Sequence, residues 1–311
     1  MTHADSYAHV HQRSIQERDT FWREQASRID WQRQPEQICD TSQPPFARWF
    51  AGGTTNLCHN AVDRHVATRG NQAALIFVST ETGSERTINY RQLLREVETT
   101  AAMLQSLGVR QGDRVLLYMP MIPEAIITML ATVRLGAIHS VVFGGFASAS
   151  LASRIDDARP KVIVTADAGS RGGKVVAYKP LLDDALRLAT HQVDHVLLVD
   201  RGLAPAKRLP PRDVDHAKLR EQHRHAQVPC TWVDATHPSY ILYTSGTTGK
   251  PKGVQRDTGG YAVALATSMD QIYQGKAGET FFCASDIGWV VGHSYIVYGP
   301  LIAGMSTVIY E

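Results

Sequence analysis

This 311-residue sequence has little of what marks several large classes of protein. Its four cysteines stand at positions 39, 58, 230 and 283 and form no C-x-x-C pair, so we expect neither a disulfide framework nor a zinc site. No apolar run approaches the about 18 residues of a membrane-spanning helix, and Met1 to Arg13 lacks the apolar segment of a secretory signal. A formal net charge of +2 is too small to favour nucleic acid. We therefore expect a cytoplasmic protein that binds neither nucleic acid nor membrane.

Histidine is plentiful, with 13 copies, but its placement does not indicate a metal site. One group lies in the polar stretch from Asp213 to Gln227, where a solvated helix or loop explains it. A second group is explained by a helix start that Asn56 or Asn60 caps. We predict no metal ligand among these residues, which are His216, His223 and His225 in the first group and His59, Asp63 and His65 in the second.

What the sequence does contain is an alternation of apolar strands and helices. With 43% hydrophobic and 20% charged residues, it can form a packed core in one large or two ordinary domains. Runs such as Val162-Ile163-Val164 are typical of strands buried on both faces, so the pattern predicts an α/β fold with mostly parallel sheets layered with helices. The predicted strands are 74–79, 114–119, 138–143, 161–165, 195–199, 281–283 and 306–310, and the predicted helices are 90–107, 123–135, 148–158, 181–189 and 260–272.

Two regions lie outside this alternation. Residues 1–70 form a partly helical extension, with an amphipathic pattern over 14–31. Its aromatic residues are expected to anchor it on the core; they are Trp31, Phe46, Trp49 and Phe50. Residues 201–237 are polar, contain proline and are predicted to be irregular.

One loop has a composition that folding alone does not require. Tyr240 to Tyr243 is predicted as a buried strand, and it leads into Thr244-Ser245-Gly246-Thr247-Thr248-Gly249-Lys250-Pro251-Lys252-Gly253-Val254. Glycines let backbone N–H groups turn toward a ligand, while hydroxyl and ammonium groups add donors and positive charge. The loop therefore suits a polyphosphate.

The spacing of this loop separates it from two familiar nucleotide motifs. A Walker A loop has four residues between its first glycine and the Gly-Lys pair, whereas only two residues separate Gly246 from Gly249 and the lysine that follows it. Pro251 biases Lys250 toward an extended backbone, so no helix begins there. No Rossmann G-x-G-x-x-G is present, and a flexible linker would not need two lysines directly after a buried strand.

Three further segments follow predicted strands, which is where ligands of α/β proteins gather. The segment from Ala284 to Tyr295 contains Gly-Trp-Val-Val-Gly-His, which suits either a compact apolar pocket or a turn with a buried tryptophan. Val141 to Phe146 contains a Gly-Gly turn. Ser170 to Lys174 places two cations around two glycines, which suits either a bound phosphate or a surface turn.

The loop at 244–254 resembles the phosphate loop of the acyl-adenylate-forming superfamily, which includes acyl-CoA synthetases, luciferases and the adenylation domains of peptide synthetases. The three further segments, with Pro45 to Phe50 and Thr55 to Asn60, resemble the acetyl- and propionyl-CoA synthetases, and the similarity runs over nearly all of the chain. The resemblance implies an N-terminal extension over 1–70 that packs on the core, followed over 71–311 by an incomplete AMP-binding domain. It also implies that a C-terminal half and a lid domain are absent.

The resemblance also implies ligands and residue roles. The enzyme would use ATP, Mg²⁺ and coenzyme A, and its substrate would be a small carboxylic acid. The resemblance assigns no metal ligand and no proton transfer to residues of this chain. The ATP phosphates would be held by Thr244, Ser245, Gly246, Thr247, Thr248, Gly249, Lys250 and Lys252, with Thr244 and Lys250 taking part in catalysis. Coenzyme A would contact Gly145, Arg171, Gly172, Gly173, Lys174 and Val291, and the acyl pocket would comprise Trp289, Val290 and Val291. Lys174 departs from the pattern, because acetyl-CoA synthetases carry arginine there.

Within the group, the resemblance favours propionate over acetate as the acid. Val291 stands where acetyl-CoA synthetases tend to carry threonine, and the stretch 252–257 is also closer to propionyl-CoA synthetases. The implied reaction is ATP-dependent formation of an acyl-adenylate and then an acyl-CoA. An acetate–CoA ligase is the nearest alternative, and a non-catalytic fragment that binds nucleotide or coenzyme A is the alternative of another class. Family members are considerably longer, so we expect this chain alone to be inactive and regard a C-terminal half as a candidate partner.

Overall fold

The computed structural model describes residues 7–244 and 251–311, apart from the side chain of Arg171. The described strands are β1 (Gln37–Gln43), β2 (Phe46–Ala51), β3 (Thr54–Thr55), β4 (Ala73–Ser79), β5 (Ser84–Asn89), β6 (Arg114–Tyr118), β7 (Ile138–Val141), β8 (Val162–Ala166), β9 (Ala168–Arg171), β10 (Lys174–Ala177), β11 (His195–Val199), β12 (Asp213–Asp215), β13 (Val233–Asp234), β14 (Pro238–Thr244), β15 (Lys252–Asp257), β16 (Thr280–Phe281) and β17 (Ser306–Tyr310). The described α-helices are α1 (Tyr7–Gln16), α2 (Arg18–Ala26), α3 (Arg64–Arg69), α4 (Tyr90–Ser106), α5 (Pro123–Arg134), α6 (Ser148–Ala158), α7 (Tyr178–Leu188), α8 (His216–His223), α9 (Gly259–Gln271), α10 (Val290–Gly292) and α11 (Gly299–Ile302). Two segments are π-helical, His59–Asp63 and His293–Tyr298.

The largest sheet has the strand order β12-β11-β8-β6-β7-β14-β15. Its neighbouring strands are parallel except for the last pair, in which β15 runs antiparallel to β14. The central strands β6 and β8 are buried along almost their whole length, as expected for strands covered by helices on both faces. The predicted α/β fold with mostly parallel sheets is therefore confirmed.

A second sheet has the order β16-β17-β4-β5. The strands β16, β17 and β4 are parallel, and β5 returns antiparallel to β4. Leu75, Val97 and Leu301 are fully buried and belong to the continuous core that also includes the strands of the larger sheet. The two sheets therefore share one hydrophobic core.

The helices begin and end where local chemistry dictates. Asn89 accepts a hydrogen bond from the backbone N–H of Gln92, whose side chain accepts one from the Asn89 N–H, and this capping box starts α4. α5 begins at Pro123, where the missing N–H costs nothing, and ends just before Gly136, which adopts a φ of +65°. Among the described residues no helix combines the length and the apolar character needed to cross a bilayer.

The N-terminal segment packs on α9 and the surrounding core through aromatic side chains. The rings of Trp22 and Trp49 are 5.8 Å apart, and those of Trp31 and Phe50 are 5.7 Å apart. Phe50 is only 1% exposed. Trp31 lies close to Gly259 at the start of α9, and a Cβ added to Gly259 would be 3.2 Å from the Trp31 ring.

Several details differ from the expectations. The amphipathic pattern over 14–31 falls on two helices, α1 and α2, and the region 201–237, expected to be irregular, contains β12, α8 and β13. The helix expected from Leu181 begins earlier, at Tyr178, because Pro180 falls in its first turn, where it breaks no backbone hydrogen bond. The strands β5 and β15 have few buried residues, so they carry no apolar run that would predict them.

Candidate functional site

The phosphate-type loop connects two antiparallel strands. β14 ends at Thr244, β15 begins at Lys252, and these two residues are paired in register. The loop therefore joins a hairpin, in contrast to the strand–loop–helix of a Walker motif. Both Thr244 and Lys252 are exposed. The other residues assigned to ATP phosphates lie outside the described residues; they are Ser245, Gly246, Thr247, Thr248, Gly249 and Lys250.

A cavity of about 710 Å³ opens beside the ends of the parallel strands β6, β7 and β8. It is the position at which open α/β sheets bind ligands. The structure brings three separate sequence segments to its wall, namely the Gly144-Gly145-Phe146 turn, the hairpin residue Ser170, and the segment with Asp286 and Trp289. The remaining lining residues are Met119, Pro120, Met121, Phe143, Ala147, Val176, Tyr178, Leu181, Ser285 and Glu311.

Three aromatic rings cover one side of the cavity. Trp289 lies 5.6 Å from the ring of Phe143 and 6.3 Å from that of Phe146, and the two phenylalanines meet edge to face at 5.8 Å. Trp289 nevertheless remains 46% exposed. The ring is thus fixed on one face by packing and open on the other.

The two valines after Trp289 do not line the cavity. Val290 and Val291 begin α10 and are 49% and 48% exposed. Of the three residues predicted to form an acyl pocket, the structure places only Trp289 in the cavity wall. The valines present open methyl groups beside it.

A tight turn presents Trp289. The backbone N–H of Trp289 donates to the carbonyl of Asp286, and the N–H of Gly288 donates to the Asp286 carboxylate. Gly292 packs against the same carbonyl so closely that a Cβ would lie 1.9 Å from it. The glycine of the Gly-Trp-Val-Val-Gly-His motif is therefore required by close approach of two backbone segments.

The hairpin β9–β10 carries the predicted coenzyme A cations. Gly172 and Gly173 form its turn with φ values of +58° and +74°, and no atom lies within 4 Å of a Cβ at either. Lys174 is exposed on the first position of β10. Gly172, Gly173 and Lys174 are open to solvent beside Ser170, which reaches the cavity.

Sequence reasoning missed a carboxylate at this hairpin. Glu81, from the loop between β4 and β5, accepts hydrogen bonds from the Ser170 hydroxyl at 2.6 Å and from the Gly173 N–H at 2.9 Å. These hydrogen bonds, the Ser170 one first, lower the pKa of Glu81. A sequence offers no signal for this contact, because Glu81 and Ser170 come from distant segments.

Behind the Trp289 turn lies a buried group of aromatic and histidine side chains. His293 is fully buried, and its ring is 4.8 Å from Tyr240 and 5.2 Å from His139. His139 is hydrogen bonded through Nε2 to the Tyr298 hydroxyl at 2.6 Å. Burial lowers the pKa of His293 to about 4 and that of His139 far below its usual value, so both imidazoles are neutral at pH 7.

One group of potential metal ligands exists within the described ranges, Cys58, Asp63 and Cys230, with ligand atoms within 4.8 Å of one another. The side chain of Arg134 donates to both carboxylate oxygens of Asp63, at 2.8 and 3.0 Å, and is itself 2% exposed. The guanidinium therefore already supplies the positive charge that a cation would bring. His59 is not part of this group, and its Nε2 lies 3.0 Å from a carboxylate oxygen of Asp30.

Comparison with known proteins identifies the family to which the chain belongs. Residues 62–311 match the family model described as AMP-binding enzyme, and residues 7–61 match that of the acetyl-coenzyme A synthetase N-terminus. Since the first match covers most of the sequence, the chain belongs to the AMP-binding enzyme family.

Individual proteins of known name are also similar to this chain. The propionate–CoA ligase of Escherichia coli (strain K12) is 66% identical over 98% of this chain and 49% of its own length. The human protein named acyl-CoA synthetase short-chain family member 3, mitochondrial, is 47% identical over 96% of this chain and 43% of its own. Among solved structures, acetoacetyl-CoA synthetase from Streptomyces lividans superposes with a TM-score of 0.89 at 30% identity, covering 98% of this chain and 46% of that one. The chain thus spans about half the length of the curated relatives it matches.

Proposed function

We propose that this chain carries the phosphate, coenzyme A and acyl elements of an AMP-forming acid–thiol ligase. The acid's carboxylate would attack the α-phosphate of MgATP to give an acyl-adenylate and pyrophosphate, and the thiol of coenzyme A would then displace AMP. The observation that carries the proposal is the single cavity at which Gly145, Ser170 and Trp289 converge from three segments.

In this proposal the hairpin loop holds the β- and γ-phosphates of MgATP. Thr244 and Lys252 face each other at the base of the loop, both exposed. Thr244 and Lys250 would act in catalysis by stabilising charge that develops on the phosphates, which is the main need of a reaction between two anions. The remaining donors would come from Ser245, Gly246, Thr247, Thr248 and Gly249.

Coenzyme A would occupy the cavity and reach the β9–β10 turn. Gly145 is exposed on the cavity wall, where a backbone without Cβ allows close approach of the nucleotide. Arg171 and Lys174 would bind a phosphate through side-chain charge, and the open turn of Gly172 and Gly173 would let that phosphate approach the backbone. Val291 would contact the pantetheine end.

The acyl group would lie against Trp289, Val290 and Val291. The indole is open on one face, and the half-exposed valines leave their methyl groups accessible to a ligand. An apolar surface of three side chains offers contact to only a few carbons. We favour propionate because two bacterial relatives, from Escherichia coli and Salmonella typhimurium, are each 66% identical and named propionate–CoA ligase.

We also propose that residues 1–70 are an extension of the AMP-binding domain over 71–311, supported by the packing of Trp31 against Gly259. A cytoplasmic location is supported by four free cysteines. An acetate–CoA ligase and a non-catalytic binding fragment are the competing functions.

Pyrophosphate exchange separates these functions. The chain, alone and mixed with the part of the E. coli relative that it does not match, is incubated with MgATP, labelled pyrophosphate and either propionate or acetate. We expect acid-dependent exchange in the mixture, faster with propionate, and loss of exchange in Lys250→Ala. Faster exchange with acetate would contradict the propionate assignment. Absence of exchange in both samples, with nucleotide still bound, would favour the binding fragment.

A further inference from the structure

The hairpin β9–β10 has little packing at its tip. Its two strands form a two-stranded sheet and pair over four positions. A two-stranded hairpin by itself is marginally stable at best in water. The turn residues Gly172 and Gly173 have no atom within 4 Å of a Cβ, and Val175 beside them is 57% exposed. The tip therefore needs contacts from outside the hairpin to hold one arrangement.

The residue types at the tip also oppose its closure. The register of the two strands places Lys174 directly opposite Arg171. Like charges that face each other across a strand pair destabilise it. The glycines of the turn add a further cost, because glycine loses more conformational freedom on folding than any other residue. A negative charge placed at the tip would offset the repulsion between the two cations.

The carboxylate of Glu81 supplies both the contact and the charge. Its Oε2 accepts a hydrogen bond from the Ser170 hydroxyl at 2.6 Å and another from the Gly173 N–H at 2.9 Å. These two hydrogen bonds, and after them one from the Gly172 N–H, lower the pKa of Glu81, so the carboxylate is charged at pH 7. A turn that directs successive N–H groups to one side is an anion-binding concavity, and here the anion is Glu81.

Glu81 is itself held by the second sheet. It lies in the short turn between the paired strands β4 and β5. The hydroxyl of Thr80 shares a hydrogen bond with that of Tyr310 on β17 at 2.7 Å, and the Thr82 N–H donates to the Ser79 hydroxyl at 3.1 Å. Both chain neighbours of Glu81 are thus fixed. The carboxylate therefore links the tip of the hairpin to a four-stranded sheet.

The placement of these hydrogen bonds decides what the turn offers a ligand. Because the Gly173 N–H already binds a carboxylate, a phosphate at the turn would depend on the cationic residues Arg171 and Lys174. Ser170, the other donor to Glu81, lines the cavity. One carboxylate thus orders the cavity wall and the turn that carries the two cations.

We propose that Glu81 is a positioning residue for the monoester phosphate of coenzyme A. It does not touch the ligand; it holds the β9–β10 turn so that Arg171 and Lys174 are presented to that phosphate. A phosphate monoester carries a charge of about −1.5 to −2 at pH 7, which two cations match. The inference rests on the proposed function, which assigns a coenzyme A phosphate to this turn, and it requires no rearrangement on binding.

Titration calorimetry of the whole chain with coenzyme A and dephospho-coenzyme A tests the inference. The second compound lacks only the monoester phosphate, so the ratio of the two dissociation constants measures recognition of that phosphate. We expect a ratio of about tenfold or more for the wild-type chain, as hydrogen bonds to a charged group warrant. In Glu81→Ala, coenzyme A should bind about fivefold or more weakly and dephospho-coenzyme A within about twofold of wild type, so that the ratio falls toward one.

Further variants separate the hydrogen bonds from other effects. Glu81→Gln keeps an oxygen that accepts from Ser170 and Gly173, and its ratio should stay within about threefold of wild type. Glu85→Ala, exposed on the adjacent strand β5, is the matched control and should change neither constant. Ser170→Ala removes the 2.6 Å hydrogen bond, so it should lower the ratio in part and add nothing to Glu81→Ala. It also carries the test if Glu81→Ala does not fold.

Kinetics in the mixture with the complementary part of the E. coli relative give a second readout. Pyrophosphate exchange precedes the coenzyme A step, so Glu81→Ala should leave exchange unchanged while the KM for coenzyme A rises about fivefold or more. An equal effect on exchange and on the KM would indicate a general loss of structure and would overturn the positioning role.

The binding outcomes are distinguishable. A wild-type ratio of about tenfold that is unchanged in Glu81→Ala, or tighter binding of coenzyme A by that variant, would overturn the role of Glu81 while the proposed function stands. Glu81→Gln as weak as Glu81→Ala would overturn the hydrogen-bond account. A wild-type ratio of one, or no binding of either compound, would contradict the proposed function at this turn, and the role of Glu81 with it.

Discussion

Gly292→Ala tests whether the Trp289 turn is set by close backbone packing. Gly292 has a helical φ of −63°, so helix propensity alone predicts that alanine stabilises the chain by about 1 kcal/mol. The structure predicts the opposite, because the new Cβ would lie 1.9 Å from the Asp286 carbonyl oxygen and 2.8 Å from the Ile287 nitrogen. Ordinary contact with that oxygen requires a movement of about 1.5 Å.

Such a movement lengthens the hydrogen bond from the Trp289 N–H to Asp286, now 3.0 Å. A lost hydrogen bond costs about 1 kcal/mol and overpacking about 1–3 kcal/mol. After the propensity gain, we expect a net loss of about 1–3 kcal/mol, or a fall in Tm of about 2–5 °C for a chain of this length. Because the turn carries Trp289, the KM for propionate should also rise in the mixture with the C-terminal half.

Scanning calorimetry and propionate-dependent exchange measure both effects. Gly202→Ala is the control, because its φ of +70° makes alanine unfavourable by about 1 kcal/mol while no atom lies within 4 Å of the new Cβ. That variant should lose stability and keep the wild-type KM. A Gly292→Ala chain as stable as wild type, or more stable, would refute the reasoning.

The remaining predictions concern pH, coenzyme A and a buried ion pair. Burial lowers the pKa values of His65 and His293 to about 4, below the ordinary value of about 6.5. Between these values the unfolded chain binds more protons than the folded chain, so the fold loses stability as the pH falls from about 6.5 toward 4. Urea unfolding near pH 5 should show a loss of at least about 2 kcal/mol per pH unit from these two histidines, to which His139 adds, and a flat profile would contradict the neutral histidines. Arg171→Ala should raise the KM for coenzyme A and spare pyrophosphate exchange; equal effects on both would remove it from the coenzyme site. Asp213→Ala should cost about 1–3 kcal/mol in urea unfolding, because it removes one of the two carboxylates that pair with buried Lys179 and leaves Asp183 at 2.7 Å as the other, and no loss would contradict this.

The parts of the fold predicted from the sequence are those with strong local signals. The buried runs of β8 and β11, the capping box of α4 and the proline start of α5 each specify an element within a few residues. By contrast, β15 has an almost fully exposed residue pattern and depends on pairing with β14. Pairing of that kind is a tertiary property, so a polar edge strand leaves little trace in sequence.

For the candidate site, the sequence predicts which segments would carry chemistry but not how they meet. The Gly-Gly turn and the Gly-Trp motif both reach one cavity. The exposure of Val290 and Val291 could not be foreseen, because an apolar residue type predicts burial. The hydrogen bond of Glu81 at the hairpin joins distant segments, and Glu81 carries no local signal for it.

Product analysis tests the central claim most directly. The chain and the complementary part of the E. coli relative are incubated with propionate, MgATP and coenzyme A, and the products are measured by mass spectrometry. The account predicts propionyl-CoA and AMP in equal amounts, with loss of both when either polypeptide is omitted. Formation of ADP in place of AMP, or no propionyl-CoA from a mixture that binds both nucleotide and coenzyme A, would contradict it.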